Sequence, residues 1–347
     1  MITNIIYAIW EDRGSRRMEF TLDTITNWLT AGKNQVAERG SEYLEIYRQA
    51  VETDFKAYDP GFTLTKWLGS GGFCDVFLAP NVNVQGKGLQ TVVLRVLRPS
   101  LYRTPHPMGN NRIVKTFLAE IFYNTFLTSQ NVRNVIKIFD YGNFHNKHYF
   151  TMMDYVDGPN FAQLIKRGPK DVKELMRRII FMNALAGVVG ELHFRGVIHR
   201  DLKPSNIMVK GWEPYLSDLG AARWVHVKDD VGDEQSTILG TPSHMSYEQL
   251  DGDYYKVDQR TDIFSLGAMA AYAFTGVYPF ARREEINYRD EGISALSQVE
   301  PDVPEIPFRK GERLREVLMR CMHRDIERRP KSVVEFQHAL NTWILEI

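Results

Sequence analysis

The sequence predicts an α+β fold in which a small β-rich lobe precedes a larger α-rich one, with a helical extension ahead of both. Three observations carry this expectation. Strand-like runs cluster in the first half, and the longest helical periodicity comes after about residue 160, an order that suits an α+β body. A chain of 347 residues can bury one large core or two moderate ones, which makes two lobes the natural division. An apolar content of 44% with 12% aromatic residues excludes a disordered chain.

Residues 1–60 contain two helix-like stretches, "LDTITNWLTA" and "SEYLEIYRQAVETDF". In the second, Tyr43, Ile46, Tyr47, Ala50 and Val51 recur at helical spacing, an apolar stripe that needs a partner surface. "YDPGF" at 58–62 reads as a turn and a boundary. The strand-like runs "TLTKWLG", "CDVFLAP" and "TVVLRVL" follow, then a helix around "VKTFLAEIFYNTFLT", then the strands "VIKIFDYGNF" and "HYFTMMDYV". The longest helical stretch is "VKELMRRIIFMNALAGVVGELHFRG". Residues 263–280, "IFSLGAMAAYAFTGVYPF", approach membrane-spanning length, but their Gly, Ser and Tyr content and the preceding Asp262 favour a helix buried inside a large lobe.

Forty-three basic and 43 acidic residues cancel, so whole-surface capture of nucleic acid or of an anionic membrane is not expected. Cys74 and Cys321 stand far apart without metal-ligand spacing, which suits a reducing compartment. The start "MITNIIYAIWEDRGSRR" has a short apolar run with no basic segment ahead of it, so a signal peptide is not expected.

Chemistry enters with "TVVLRVLRP" at 91–99. Period two places Val92, Leu94 and Val96 on one strand face and Val93, Arg95 and Leu97 on the other. An unpaired buried guanidinium costs several kcal/mol, so Arg95 is either paired or on a wet face. "GSGGFCDV" at 69–76 lies between two strand signals, where glycines let backbone N–H groups approach a phosphate; taken alone it also fits an ordinary Gly-rich hairpin. "VIHRDLKPSNIMV" at 197–209 concentrates Asp201, Lys203 and Asn206 between apolar runs, and "YLSDLGAARW" adds Asp218. Two carboxylates and a carboxamide on two loops match the oxygen preference of magnesium, and a lysine beside them can neutralise a transferring phosphoryl group.

With these motifs in view, the sequence resembles the eukaryotic-type (Hanks-type) serine/threonine protein kinases, from about residue 61 to the C-terminus. The resemblance implies a bilobal kinase-like fold, with a helical extension over 1–60, a small lobe and hinge over 61–157, and a large lobe over 158–347. It implies that Leu68, Gly69, Gly71 and Val76 cover the nucleotide and that Met153 is the gatekeeper ahead of a hinge at Asp154 to Val156. Glu120 matches the helix glutamate that pairs with the strand cation. Asp201 matches the catalytic aspartate, preceded by His199 and Arg200; Lys203 would contact the γ-phosphate, and Asn206 and Asp218 would bind metal. "DLKPSN" and Thr241 in "LGTPSHMS" resemble the serine/threonine branch. Glu248 in "SYE" and Arg329 in "ERRP" match a buried ion pair, and Asp262 matches the aspartate that holds the catalytic loop backbone.

The departures are informative. Arg95 stands in "VVLR" where the family's V-A-I-K pattern has lysine: charge is preserved and geometry is not. Cys74 occupies the third glycine position, where a side chain comes close to the phosphates; it reads either as a reactive thiol or as a small tolerated side chain. "DLG" replaces DFG, and "SYE" replaces A-P-E. Two functions fit: a serine/threonine protein kinase that uses ATP with Mg2+ (or Mn2+) and autophosphorylates, or a pseudokinase acting as a nucleotide-binding or scaffolding module. The presence of Asp201, Lys203, Asn206 and Asp218 together favours the enzyme. Thr237 aligns with the usual activating phosphosite, Ser236 is adjacent, and Arg200 could pair with a phosphate there. The expected partner is a protein substrate, and the extension with its apolar stripe either braces the small lobe, serves as a docking surface or forms a dimer contact; no nucleic acid or membrane is expected, and the cytoplasm is the expected location.

Overall fold

The computed structural model describes residue 49 and residues 51–53, 62–70, 73–84, 87–98, 110–144, 148–225, 244–253, 255–287 and 292–346. The expected helix over "LDTITNWLTA", most of the one over "SEYLEIYRQAVETDF", and the site residues Gly71, Ser236, Thr237 and Thr241 lie outside the described residues.

The chain forms two compact units. The first runs to Phe122 and includes Lys137–Tyr155; the second comprises Tyr123–Ile136 and everything from Val156. The first is built on a five-stranded sheet of β1 (Lys66–Ser70), β2 (Cys74–Val84), β3 (Gly88–Leu97), β4 (Ile138–Phe144) and β5 (His148–Asp154), in the order β1-β2-β3-β5-β4. All its pairs are antiparallel. The alternation in β3 is realised. Val92, Leu94 and Val96 lie in one buried cluster with Phe77, Ala79, Phe150 and Met152, and Leu97 lies in another with Cys74.

Helix α1 (Asn110–Ser129) supplies the rest of the second cluster through Ile113, Phe117 and Ile121. These residues recur every fourth position and form one stripe against the sheet. Glu120 stands beside Ile121 on the same side, which is how a helix meeting a sheet through aliphatic contacts also delivers a carboxylate to it.

The second unit is helical. Its short helices are α2 (Phe161–Leu164), α4 (Tyr247–Leu250) and α6 (Ile293–Ser297); its long ones are α3 (Val172–Phe194), α5 (Gln259–Thr275), α7 (Gly311–Cys321) and α8 (Val333–Glu346). Helix α5 is buried nearly all round, as the apolar stretch from residue 263 predicts, but it stops at Thr275 and does not reach 280. Gly276 ends it in the left-handed conformation at φ 77°, where a Cβ would fall 2.2 Å from the Gly168 nitrogen. Gly267 admits helix α7, since a Cβ there would lie 2.4 Å from that of Cys321. Two short antiparallel pairs complete the unit: β6 (Val197–Ile198) with β9 (Arg223–Trp224), and the hairpin of β7 (Ile207–Lys210) with β8 (Glu213–Leu216). Among the described residues no helix is long and apolar enough to cross a membrane.

Candidate active site

In the first unit, strand pairing sets Arg95 opposite Val76 on β2 and Thr151 on β5, and sets Met153 opposite Val93. Residues directly opposite share a face, so Val76, Val93, Arg95, Thr151 and Met153 form one surface of the sheet. Arg95 Nη1 donates to Glu120 Oε1. Both alternatives for Arg95 therefore hold in part: it is paired, and its side chain keeps 17% exposure while that of Glu120 has 4%.

Cys74 also points to this side of the sheet, but it is covered by Ile113, Phe117 and Ile121 and retains only 3% exposure. It packs as a small hydrophobe, which supports the tolerated-side-chain reading over a reactive thiol. Leu68 is exposed, and Gly69 adopts φ 146° with open space around it. The backbone N–H of Asp154 donates to the Lys137 carbonyl at 2.9 Å, so it is already engaged.

In the second unit, Asp262 is fully buried at the first turn of α5. Its carboxylate accepts from the backbone N–H of His199 (2.9 Å), the backbone N–H of Arg200 (2.8 Å) and His193 Nε2 (2.8 Å). Burial pushes this carboxyl up, but the donors outweigh it and hold the group below the usual aspartate range. The clamp fixes Arg200 at φ 69°, a left-handed conformation uncommon for a residue with a side chain. Gln249 holds the same point from the other side: its Nε2 donates to the Arg200 carbonyl at 2.8 Å. Its Oε1 accepts from the N–H and hydroxyl of Ser246 at 3.1 and 3.0 Å.

Beyond this anchor the loop gathers its functional groups. Asp201 Oδ2 accepts from Lys203 Nζ at 2.7 Å and from Asn206 Nδ2 at 3.1 Å. Asn206 Nδ2 also donates to the Asp201 carbonyl at 2.9 Å, which turns the amide oxygen of this planar group the other way. Ser217 fixes Asn206 from the neighbouring hairpin, its N–H and hydroxyl each donating to the Asn206 carbonyl at 2.9 Å. The next residue, Asp218, sits at φ 63°. Burial raises the pKa of Asp201 and the Asp218 charge raises it further, while Lys203 opposes both. Asp218 is thus close enough for its charge to bear on Asp201.

The donor chemistry suits a hard dication held with phosphate. Asn206 and Asp218 offer an amide oxygen and a carboxylate, and among the described residues no group of three or more His, Cys, Asp or Glu could hold a metal alone. Magnesium commonly takes one or two protein oxygens and completes its shell with substrate phosphates and water.

At α4, Glu248 and Arg329 form a two-bond fork, Nη1 to Oε1 at 2.9 Å and Nη2 to Oε2 at 2.8 Å. Thr261 Oγ1 donates to Glu248 Oε1 at 2.7 Å. Tyr247, in the place of the family's proline, fills the core between Phe264 and Phe280 and donates its hydroxyl to the Val299 carbonyl at 3.0 Å.

Sequence reasoning missed His193, Gln249 and Ser217 as supports of the loop. Gln249 had a readable signal, because Ser246 and Gln249 have the spacing of a helix capping box. The other two had none.

Residues 62–343 match the family described as protein kinase domain. The chain is 29% identical over 297 residues to the serine/threonine-protein kinase pkn2 of Myxococcus xanthus, which covers 83% of this chain and 33% of that protein. It is 30% identical over 286 residues to the probable serine/threonine-protein kinase PkwA of Thermomonospora curvata, covering 79% of this chain and 34% of that one. It spans about a third to a half of the length of such relatives. In fold it is similar to the crystal structure of a mutant PknI kinase domain of Mycobacterium tuberculosis, with TM-score 0.54, 22% identity, and coverage of 82% of this chain and 96% of that one.

Proposed function

This chain belongs to the protein kinase domain family, and from that premise we propose that it transfers the γ-phosphate of MgATP to serine or threonine hydroxyls of a protein, itself included. The observation that carries this reading is the hydrogen-bonded set of Asp201, Lys203 and Asn206 with the Asp218 charge beside it. A chain used only as a scaffold has no chemical need of all four.

In this reading Asp201 orients the attacking hydroxyl and receives its proton, and burial that raises its pKa makes it a better acceptor. Lys203 offsets charge on the transferring group. Asn206 and Asp218 hold the metal, which when bound neutralises phosphate charge. Arg95, positioned by Glu120, meets the phosphates, with Leu68, Gly69, Gly71 and Val76 covering the nucleotide. Met153 serves as gatekeeper. Since the Asp154 N–H is engaged, the adenine edge is left to the Asp154 carbonyl and the Val156 backbone. We further assign Arg200 to pair with a phosphate on Thr237 or Ser236, Thr241 to stand beside Asp201, and the chain to the cytoplasm.

Incubation with labelled ATP and Mg2+, followed by mapping of phosphopeptides, tests this. We expect label on serine or threonine from the wild type and none from a folded Asp201→Asn variant. Equal labelling by both proteins would mean the signal belongs to another kinase in the preparation.

A further inference from the structure

We propose that the helical segment around residues 51–53, which lies ahead of the kinase domain proper, is a built-in brace docked on the back of the small sheet.

The family match begins at residue 62, so nothing in the kinase domain calls for residues 51–53. Val51 nevertheless has only 8% exposure and belongs to the same buried cluster as Phe77, Ala79, Val92, Leu94, Phe150 and Met152. Those residues line the sheet face opposite Arg95. Glu52 adds a directional contact, its Oε2 accepting from the backbone N–H of Leu64 at 3.0 Å, just ahead of β1. Leu64 and Phe62 join the cluster as well. Thr53, on the other side of the turn, is exposed.

Apolar and polar positions therefore divide as they do in a helix lying on a surface. The sequence stripe agrees: Tyr47 and Tyr43 stand four and eight residues before Val51. A dimer contact would instead leave Val51 open in the single chain.

The consequence concerns β3. Leu94 is held from the back, and the next residue, Arg95, projects from the front, so loosening the back loosens the strand that carries the arginine. This consequence for phosphate binding rests on the phosphotransfer reading; the docking itself does not.

Hydrogen exchange on the whole chain, read by mass spectrometry, separates the two. We expect Val51→Asp to speed exchange of the 74–97 strands by about tenfold or more. Val51→Ala should do so to a lesser degree, and decides the matter if the aspartate variant fails to fold. Glu52→Ala should expose the Leu64 amide selectively, and Thr53→Ala should change nothing. Unchanged strand protection in both Val51 variants would overturn the brace. So would a change of mass in light scattering on Val51→Asp with strand protection intact, because the helix would then be a contact between copies. Faster exchange with no labelling by the wild type would leave the brace standing and remove the kinase reading.

Discussion

Two arginine–glutamate pairs, one in each unit, show how the same chemistry is put to different use. Arg329 and Glu248 have side-chain exposures of 0% and 4% and meet through a two-bond fork. Arg329 is further used up by the carbonyls of His323 at 2.8 Å and Arg260 at 3.2 Å. Arg95 and Glu120 meet through a guanidinium nitrogen of the arginine, at 17% and 4% exposure. The first pair is closed and saturated, as suits a structural joint. The second retains an edge toward solvent, as suits a group that must also meet a ligand. Burial, not the identity of the partners, marks the difference.

The largest expected effect comes from breaking the closed pair. Glu248→Gln leaves Arg329 a buried charge without a counter-charge and should lower stability by about 3–5 kcal/mol in urea unfolding. Replacing both by methionine should recover much of this loss. The pH dependence follows from the same pair. Burial pushes Glu248 up, but Arg329 and Thr261 outweigh it and hold its pKa below the ordinary value of 4.5. A depressed folded pKa means the contribution is complete above the unfolded value and is lost as pH falls through the folded one. The urea midpoint of the wild type should therefore drop more steeply below pH 4.5 than that of Glu248→Gln.

Asp262→Asn comes next. The amide offers one acceptor oxygen to donors that now share two, and we expect a loss of about 2–4 kcal/mol together with loss of phosphate transfer. Arg95→Lys should cost about 1 kcal/mol or less in stability, because the pair is partly wet, and should lower turnover several-fold, because the shorter ammonium does not fill a site set for a guanidinium. A rise in turnover would mean that the arginine is a compromised substitute. At the small end, Arg313→Ala at the solvent-facing Arg313–Glu346 pair should leave the urea midpoint at that of the wild type, since Lys310 still meets the carboxylate.

How much of this was legible in the sequence follows from the range of each interaction. The alternation in β3 is a local periodicity that formed as read, and the helix around "VKTFLAEIFYNTFLT" formed as well, from Asn110 to Ser129. Asp201, Lys203 and Asn206 lie within six residues, so their meeting is a property of one loop. Asp262 was legible as the loop's anchor only through the resemblance, because 63 residues separate it from His199. Gln249 reaches Arg200 across 49 residues, and His193 reaches Asp262 across 69; the capping-box spacing marks Gln249 as a helix cap, but local pattern announces neither long-range contact. Strands β6 and β9 have two residues each, too few for a periodicity. The motif position of Cys74 puts it beside the phosphates, whereas its cover by α1 depends on how far that helix overlaps β2, which the motif does not encode.

The contrast between the joint and the site is tested most directly by the rate of γ-phosphate transfer in Arg95→Met, measured per folded molecule beside its melting curve. We expect the rate to fall by about a hundredfold or more, with a loss of stability of about 2–4 kcal/mol, because the buried Glu120 carboxylate loses the Arg95 counter-charge. Transfer at the wild-type rate would contradict the role given to Arg95, and would leave its pair with Glu120 a second structural joint.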